Sequence, residues 1–300
     1  MQAIDLVSLV LLAAIWGSSY LFIRVASPEF GPLALMDGRV VLAGVVLLIV
    51  AVTVRRPPQF RGEWGRYLAL GAVNGAAPFT LIAVAELQLT ASLTSIIMAT
   101  APLWTALVAA VWGNEPLTAA KIAGLLLGLG GVAVLVGWSP VPVTATVLVA
   151  VVALLLAALA YAVGGTVVKK YFGGRTPLTL TIGQQLGAGA VLLPLALWSP
   201  PRHDPSSGAW FALVALAIVC TAVAYLLYFR LIARVGPTST LSVGFLIPVF
   251  GVIWGALFLH EVIVAGTVVG LLMILTSVTL VTGMRMPGRA GMRVGMPRRS

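Results

Sequence analysis

The side chains able to do chemistry in this 300-residue chain are few and scattered. There are eight acids (Asp5, Glu29, Asp37, Glu63, Glu86, Glu115, Asp204 and Glu261), two histidines (His203 and His260) and one cysteine, Cys220. A metal centre needs His, Cys or carboxylate ligands grouped at defined spacing. Here the histidines fall in expected loops of different hairpins, so no metal is expected. One cysteine excludes an internal disulfide framework and any Cys-based site. Nucleophilic catalysis needs a nucleophile and base within reach of each other. Cys220 is expected mid-span and both histidines lie in loops, so an enzyme is not expected, and neither is a cofactor.

The remaining ionisable groups read as pairing or recognition. Arg39 lies about 9 Å along its helix from the nearer end, at 1.5 Å per residue. Glu86 is placed near the same end of its own segment, and Asp37 is the rival partner. A structural charge pair among Arg39, Glu86 and Asp37 is one reading. A bidentate contact from Arg39 to a substrate carboxylate is the other. None of the acids sits at the centre of an apolar run, where a charge costs about 2.5–3.5 kcal/mol and marks a coupling site. That favours facilitated diffusion, or coupling through the off-centre Asp37 or Glu86. It also disfavours a strongly cationic substrate, which would lack a buried counter-ion. Glu115 and Glu261 each precede an apolar helix, where a carboxylate meets the positive end of the helix dipole. That structural role competes with one in gating.

The uncharged candidates are aromatic and small polar residues inside the apolar runs. Trp16, Phe79, Tyr161, Tyr225 and Phe245, with Ser19 and Asn74, could line a path for a neutral, zwitterionic or amphiphilic small molecule. Packing or lipid contact is the competing reading for each ring. Pro102 and Pro248 sit mid-run, where each removes a helix hydrogen bond and kinks the chain. They are candidate hinges, or fixed bends that only shape the bundle. Pro78 has the same effect. Gly124, Gly128, Gly131 and Gly270 read as points of close helix packing.

The elements that position these residues follow from composition. Apolar residues make up 60% of the chain and charged residues 9%, against about 25% charged in soluble domains. A span needs roughly 20 apolar residues. Ten are expected, near 5–25, 33–54, 67–88, 91–112, 118–137, 145–168, 177–198, 209–229, 237–259 and 264–284. The first run lacks the features of a signal peptide and reads as a permanent span. The net charge of +10 is set by placement. Arg55, Arg56, Arg61, Arg66, Lys121, Lys169, Lys170, Arg175, Arg230, Arg234 and the Arg-rich tail fall on one side, against Arg24 and Arg202 on the other. The positive-inside rule makes the first side cytoplasmic, with both termini there. The basic tail reads as a lipid-facing end, so nucleic acid is not an expected partner.

The halves repeat each other. At an offset of 145, Trp16 matches Tyr161, Arg24 matches Lys169, and Pro32, Gly38 and Gly44 match Pro177, Gly183 and Gly189. At an offset of 146, Thr94, Pro102, Glu115 and Gly124 match Thr240, Pro248, Glu261 and Gly270. Arg39 faces Gln184 in this register, and Glu86 faces Ile232. Five spans per half is an odd number, so the second half enters the membrane from the opposite side. The expected organisation is a first repeat over 1–142, a second over 143–284 and a basic tail over 285–300.

The strings LAAIWGSSYLFIR, LALMDGRVVLAG, WGNEPLTAAKIAGLLLGLGGV and FLHEVIVAGTVVGLLMILTSV resemble repeats of the EamA family in the drug/metabolite transporter superfamily. The second repeat departs from that pattern, with Tyr161-Ala162 in place of Trp-Gly and Gln184 in place of the Arg. The resemblance implies an all-α, ten-helix membrane protein with both ends cytoplasmic, exporting small metabolites, amino acids or drugs. The reading is a carrier of the bacterial inner membrane that exports an amino-acid-like or amphiphilic small molecule by alternating access. Its partners are that molecule and the bilayer, while the oligomeric state is open. A channel or a lipid scramblase is the alternative, and a membrane enzyme the weaker rival.

Overall fold

The computed structural model describes residues 2–60, 62–112 and 115–283. Arg61 and the tail residues 285–300, both used in the charge argument, lie outside the described residues. Among the described residues, ten helices are long and apolar enough to cross a membrane. They are α1 (Ala3–Phe30), α2 (Pro32–Thr53), α3 (Trp64–Ala85), α4 (Ala91–Trp112), α5 (Ala119–Gly137), α6 (Ala145–Tyr171), α7 (Pro177–Trp198), α8 (Ser207–Pro237), α9 (Ser239–Leu259) and α10 (Ala265–Thr282). Several start where a Ser or Thr hydroxyl accepts a first-turn amide: Thr90 from Leu93, Thr118 from Lys121, Thr144 from Val147, Thr176 from Thr179 and Ser206 from Ala209. Such caps satisfy amides that have no partner within the helix.

Two helices outrun the sequence expectation. α1 continues from residue 25 to Phe30 through Pro28, and α8 extends past residue 229 to Pro237. Charged Arg24 and Arg230 mark the ends of the apolar runs but do not stop a helix. The backbone turns at Gly31 and Gly236, with φ of 76° and 81°. Glycine adopts that region without the Cβ clash.

Packing runs between the halves rather than within them. The principal contacts include α5 with α10, α2 with α7, α1 with α8, α1 with α9, α4 with α6, α3 with α7, and α3 with α6. Exchanging the repeats turns α1–α9 into α6–α4, and leaves α5–α10 and α2–α7 unchanged. The fold is therefore two inverted five-helix repeats that bury their faces on each other. The α5–α10 seam depends on small residues, because a Cβ on Gly124 would stand 2.6 Å from Val281 and one on Gly270 2.8 Å from the Leu135 Cβ. Away from these seams, Leu11, Ile49, Val149 and Leu197 point outward, as lipid contact requires.

Three departures from regular helix were not read from the sequence. α3 carries a π-helical turn at Ala72–Ala76 and α8 one at Ile218–Val223, at equivalent positions of the two repeats. In α3 the turn precedes Pro78, which lacks a backbone donor. α8 has Ala224 at the equivalent place, so proline is not the common cause. In α8 the Thr221 hydroxyl donates to the Leu216 carbonyl at 2.8 Å, across the π-helical turn. The third is an interruption of α4 at Ala99–Thr100, close before Pro102. Pro248 instead sits inside continuous helix, and its neighbourhood breaks earlier, at Ser242.

Candidate functional site

A cavity of about 240 Å³ lies at the interface of the repeats, lined by Trp16, Ser19, Tyr20, Ile23, Arg39, Phe79, Ile82, Tyr161, Cys220, Tyr225 and Ile247. Its aromatic walls carry the repeat symmetry. Trp16 of α1 meets Tyr225 of α8 edge-to-face, with centroids 6.2 Å apart at 77°. The equivalent pair, Tyr161 of α6 and Phe79 of α3, stands at 6.2 Å and 70°. Each pair joins the first helix of one repeat to the third of the other.

The polar residues of α2 and α7 reach the π-helical turns opposite them. Arg39 Nε donates to the Thr221 hydroxyl at 3.0 Å. At the equivalent place Gln184 Nε2 donates to the Asn74 carbonyl at 3.2 Å, and Asn74 Nδ2 donates back to Gln184 Oε1 at 2.7 Å. The symmetry then breaks in charge. The Arg39 guanidinium lies over the face of Phe79, 4.0 Å from the centroid.

Of the residues read as a substrate path, Trp16, Ser19, Phe79, Tyr161 and Tyr225 line this cavity. Asn74 and Phe245 do not. Asn74 is held by Gln184 and packs against Gly164, where a Cβ would stand 2.3 Å from its Oδ1. Its polarity is spent on joining α3 to α7. Phe245 packs beside Leu103, Val278 and Val281, because the break at Ser242 carries that face of α9 toward α10. Tyr20 and Thr221 were missed. Tyr20 was legible, since Trp16, Tyr20 and Ile23 recur at helical spacing.

The expected charge pair is not formed. Among the described residues the ion pairs are Arg66–Glu63, Lys121–Glu115, Arg175–Glu63 and Arg234–Asp5, so neither Glu86 nor Asp37 neutralises Arg39. Glu86 is fully buried, and both its carboxylate oxygens lack a hydrogen bond. The Arg24 side chain donates to the Glu86 backbone carbonyl. Asp37 is also buried, with Oδ1 unpartnered.

The hairpin acids differ from each other. Glu261 accepts from the amides of Ala91 and Ser92, at 2.8 and 3.0 Å, and from the Ser92 hydroxyl. It therefore caps α4, a helix of the opposite repeat, rather than the helix that follows it in sequence. Glu115 is half-exposed, and its side-chain partner is Lys121 at 3.5 Å. The two faces of the bundle differ in the same sense. On the Glu261 face, Phe30, Glu86 and Leu89 are buried. On the basic face their equivalents Arg175, Ile232 and Val235 are partly exposed. A vestibule of about 740 Å³, lined by Arg56, Arg175, Thr179, Phe229 and Ile232 among others, lies there. Phe229 stands 5.9 Å from Tyr225 between vestibule and cavity.

The EamA-like transporter family matches the chain over residues 4–137 and 148–283. The chain belongs to that family. EamA relatives include the "Uncharacterized transporter YvbV" of Bacillus subtilis, 28% identical over 91% of this chain and 90% of its own length. The "Uncharacterized inner membrane transporter YedA" of Escherichia coli is 25% identical over 80% of this chain and 78% of its own. A solved crystal structure shares the fold, with a TM-score of 0.65 at 18% identity, covering 94% of this chain and 97% of its own. The protein is thus an integral membrane protein of a transporter family.

Proposed function

We propose that this chain is a carrier that moves a small amino-acid-like or amphiphilic metabolite across the bacterial inner membrane by alternating access, exporting it from the cytoplasm. It performs no catalysis. The basic face is cytoplasmic, as the Lys and Arg bias requires, with both termini on that side.

The observation that supports this reading is the unequal state of two equivalent carboxylates. Glu261 caps the start of α4, while the side chain of Glu115, its inverted-repeat counterpart, has Lys121 as its partner among the described residues. In an inverted repeat the opposite-facing state is reached when the halves exchange conformations. The described state is closed at the Glu261 face and holds its vestibule at the basic face. Its counterpart has Glu115 at the start of α9, where Thr238 offers a backbone amide but Pro237, at the Ala91 position, offers none, and has Glu261 released. A channel has no need of two such states.

Counterflow in proteoliposomes tests this. Vesicles preloaded with unlabelled amino acids or amphiphilic carboxylates should accelerate uptake of the same labelled compound, and uptake should saturate. Permeation that neither saturates nor responds to preloading would refute the carrier and leave a channel.

A further inference from the structure

We propose that the central cavity is a monoanion site, in which Arg39 holds the carboxylate of a substrate with an apolar or aromatic body. The inference deepens, and rests on, the reading of this cavity as a carrier's substrate site.

The site begins with a cation that has no ion-pair partner among the described residues, the buried Glu86 acting on it only from beyond contact distance. Arg39 is 5% exposed. A buried charge is ordinarily paired, because desolvation penalises it heavily otherwise. No carboxylate lies within 4 Å of this guanidinium among the described residues. Its Nε is spent on Thr221, and the ring of Phe79 supports one face. Both contacts fix its orientation without neutralising it. The donors on Nη1 and Nη2 make no hydrogen bond to the described protein, and Arg39 is the one ionised group lining the cavity. Two parallel N–H groups in one plane match the two oxygens of a carboxylate.

The walls define the rest of the molecule. Trp16, Tyr20, Tyr161 and Tyr225 present rings, and Ile23, Ile82 and Ile247 present aliphatic surface. A volume of about 240 Å³ falls below the roughly 300–1,000 Å³ of drug-sized pockets, so the occupant is metabolite-sized. Among the described residues no carboxylate lines the cavity, so an ammonium group would be desolvated there without a counter-ion. One cation suits one negative charge, and a phosphate dianion would leave charge over. The site therefore favours a carboxylate without an amine above the corresponding amino acid, and an amino acid above the corresponding amine. At the equivalent position Gln184 is already bonded to Asn74, so the anion is held from the α2 side alone.

Three ligands with one body separate these terms: 3-phenylpropionate, L-phenylalanine and 2-phenylethylamine. Binding is measured on the full-length protein in detergent by titration calorimetry, with thermal stabilisation as a second readout. 3-Phenylpropionate should bind, L-phenylalanine at least tenfold more weakly, and 2-phenylethylamine not at all. Arg39→Lys should lose at least tenfold in 3-phenylpropionate affinity, and Arg39→Gln should abolish binding. Equal binding of the amine, no binding of any ligand, or a folded Arg39 variant that binds 3-phenylpropionate like wild type would overturn the proposal. Should Arg39→Gln fail to fold, the wild-type ligand order and Arg39→Lys still decide it. Counterflow is read separately. Carboxylate binding without counterflow refutes the carrier and keeps the site, while counterflow of the amine alone does the reverse.

Discussion

On the proposed mechanism, replacing Glu261 by Gln should shift the protein from one access state toward the other, and replacing Glu115 should not. In the described state Glu261 receives two backbone amides and a serine hydroxyl at the start of α4. Glutamine keeps one acceptor oxygen but loses the negative charge and the second acceptor. A hydrogen bond to a charged group contributes about 1.5–3 kcal/mol. The dipole term adds about 0.3–1 kcal/mol. Retained partial bonding offsets some of this, so a net loss of about 2 kcal/mol is expected, or roughly 30-fold in the equilibrium at about 1.4 kcal/mol per decade. Glu115 makes no such cap in this state, so Glu115→Gln removes only its half-exposed pair with Lys121 here. It weakens only the counterpart state. The assay is membrane-impermeant maleimide labelling in a Cys220→Ala background. Leu89→Cys reports the buried Glu261 face, and Val235→Cys reports the basic face. Glu261→Gln should raise labelling at position 89 from outside and lower it at position 235 from the cytoplasmic side, and Glu115→Gln should leave both near wild type or push them the opposite way. If Glu261→Gln lowers the melting temperature yet leaves the labelling ratio unchanged, the carboxylate is a static cap and the exchange of caps is wrong.

Further outcomes follow from the same geometry. Gln59→Cys and Gly173→Cys should label only from the cytoplasmic side and Val141→Cys and Pro205→Cys only from outside; same-side labelling of 59 and 141 would refute the inverted topology. Phe79→Ala removes the ring beneath Arg39 and should cut flux per folded molecule more than tenfold, whereas Tyr225→Phe, which keeps the ring pair with Trp16, should chiefly weaken affinity; normal flux in the first and unchanged affinity in the second would remove them from the path. Gly128→Leu forces a side chain into Leu103 and Ser277 and should lower stability by several kcal/mol, by overpacking of a closed seam, with a fallen melting temperature as the check. Neutralising Asp37 and Glu86 together should leave equilibrium exchange in place, because neither touches Arg39 through an ion pair; loss of all exchange in a folded double variant would assign them a role in coupling.

The sequence carried the architecture because lipid imposes long apolar runs, and because Pro, Gly and Glu recur in register where chance apolar similarity supplies only Leu and Val. It also carried the aromatic lining, since Trp16 with Tyr161 and Phe79 with Tyr225 are equivalent under the repeat. What it did not carry depends on the way one half meets the other. Asn74 looks like a free polar group until Gln184, 110 residues away, is placed beside it. Glu261 reads as a cap for the helix that follows it until the fold brings the start of α4 to its carboxylate. Arg39 and Glu86 look like partners because both lie near one end of their helices, but depth alone does not fix direction around a helix. The π-helical turns have no sequence signal beyond a proline that only α3 possesses.

The asymmetry between the repeats is where function enters. Two identical halves would build a site with twofold symmetry, suited to a symmetric ligand. Most metabolites have a polar end and an apolar end, so one half must diverge at the centre. Here the divergence is confined to few positions. The ring pairs Trp16–Tyr225 and Phe79–Tyr161 keep the same spacing in both halves, while the residue reaching the opposing π-helical turn is Arg39 in one and Gln184 in the other. A carrier must offer its substrate nearly the same contacts from both sides, or the tighter state becomes a trap. Conserved ring geometry about the axis meets that requirement. A single charge anchored to one wall gives the ligand an orientation while adding no second cation to hold it back. In the proposed carrier the gates supply the difference between states, with one capped helix start exchanged for another, and the central site is left to recognise the cargo.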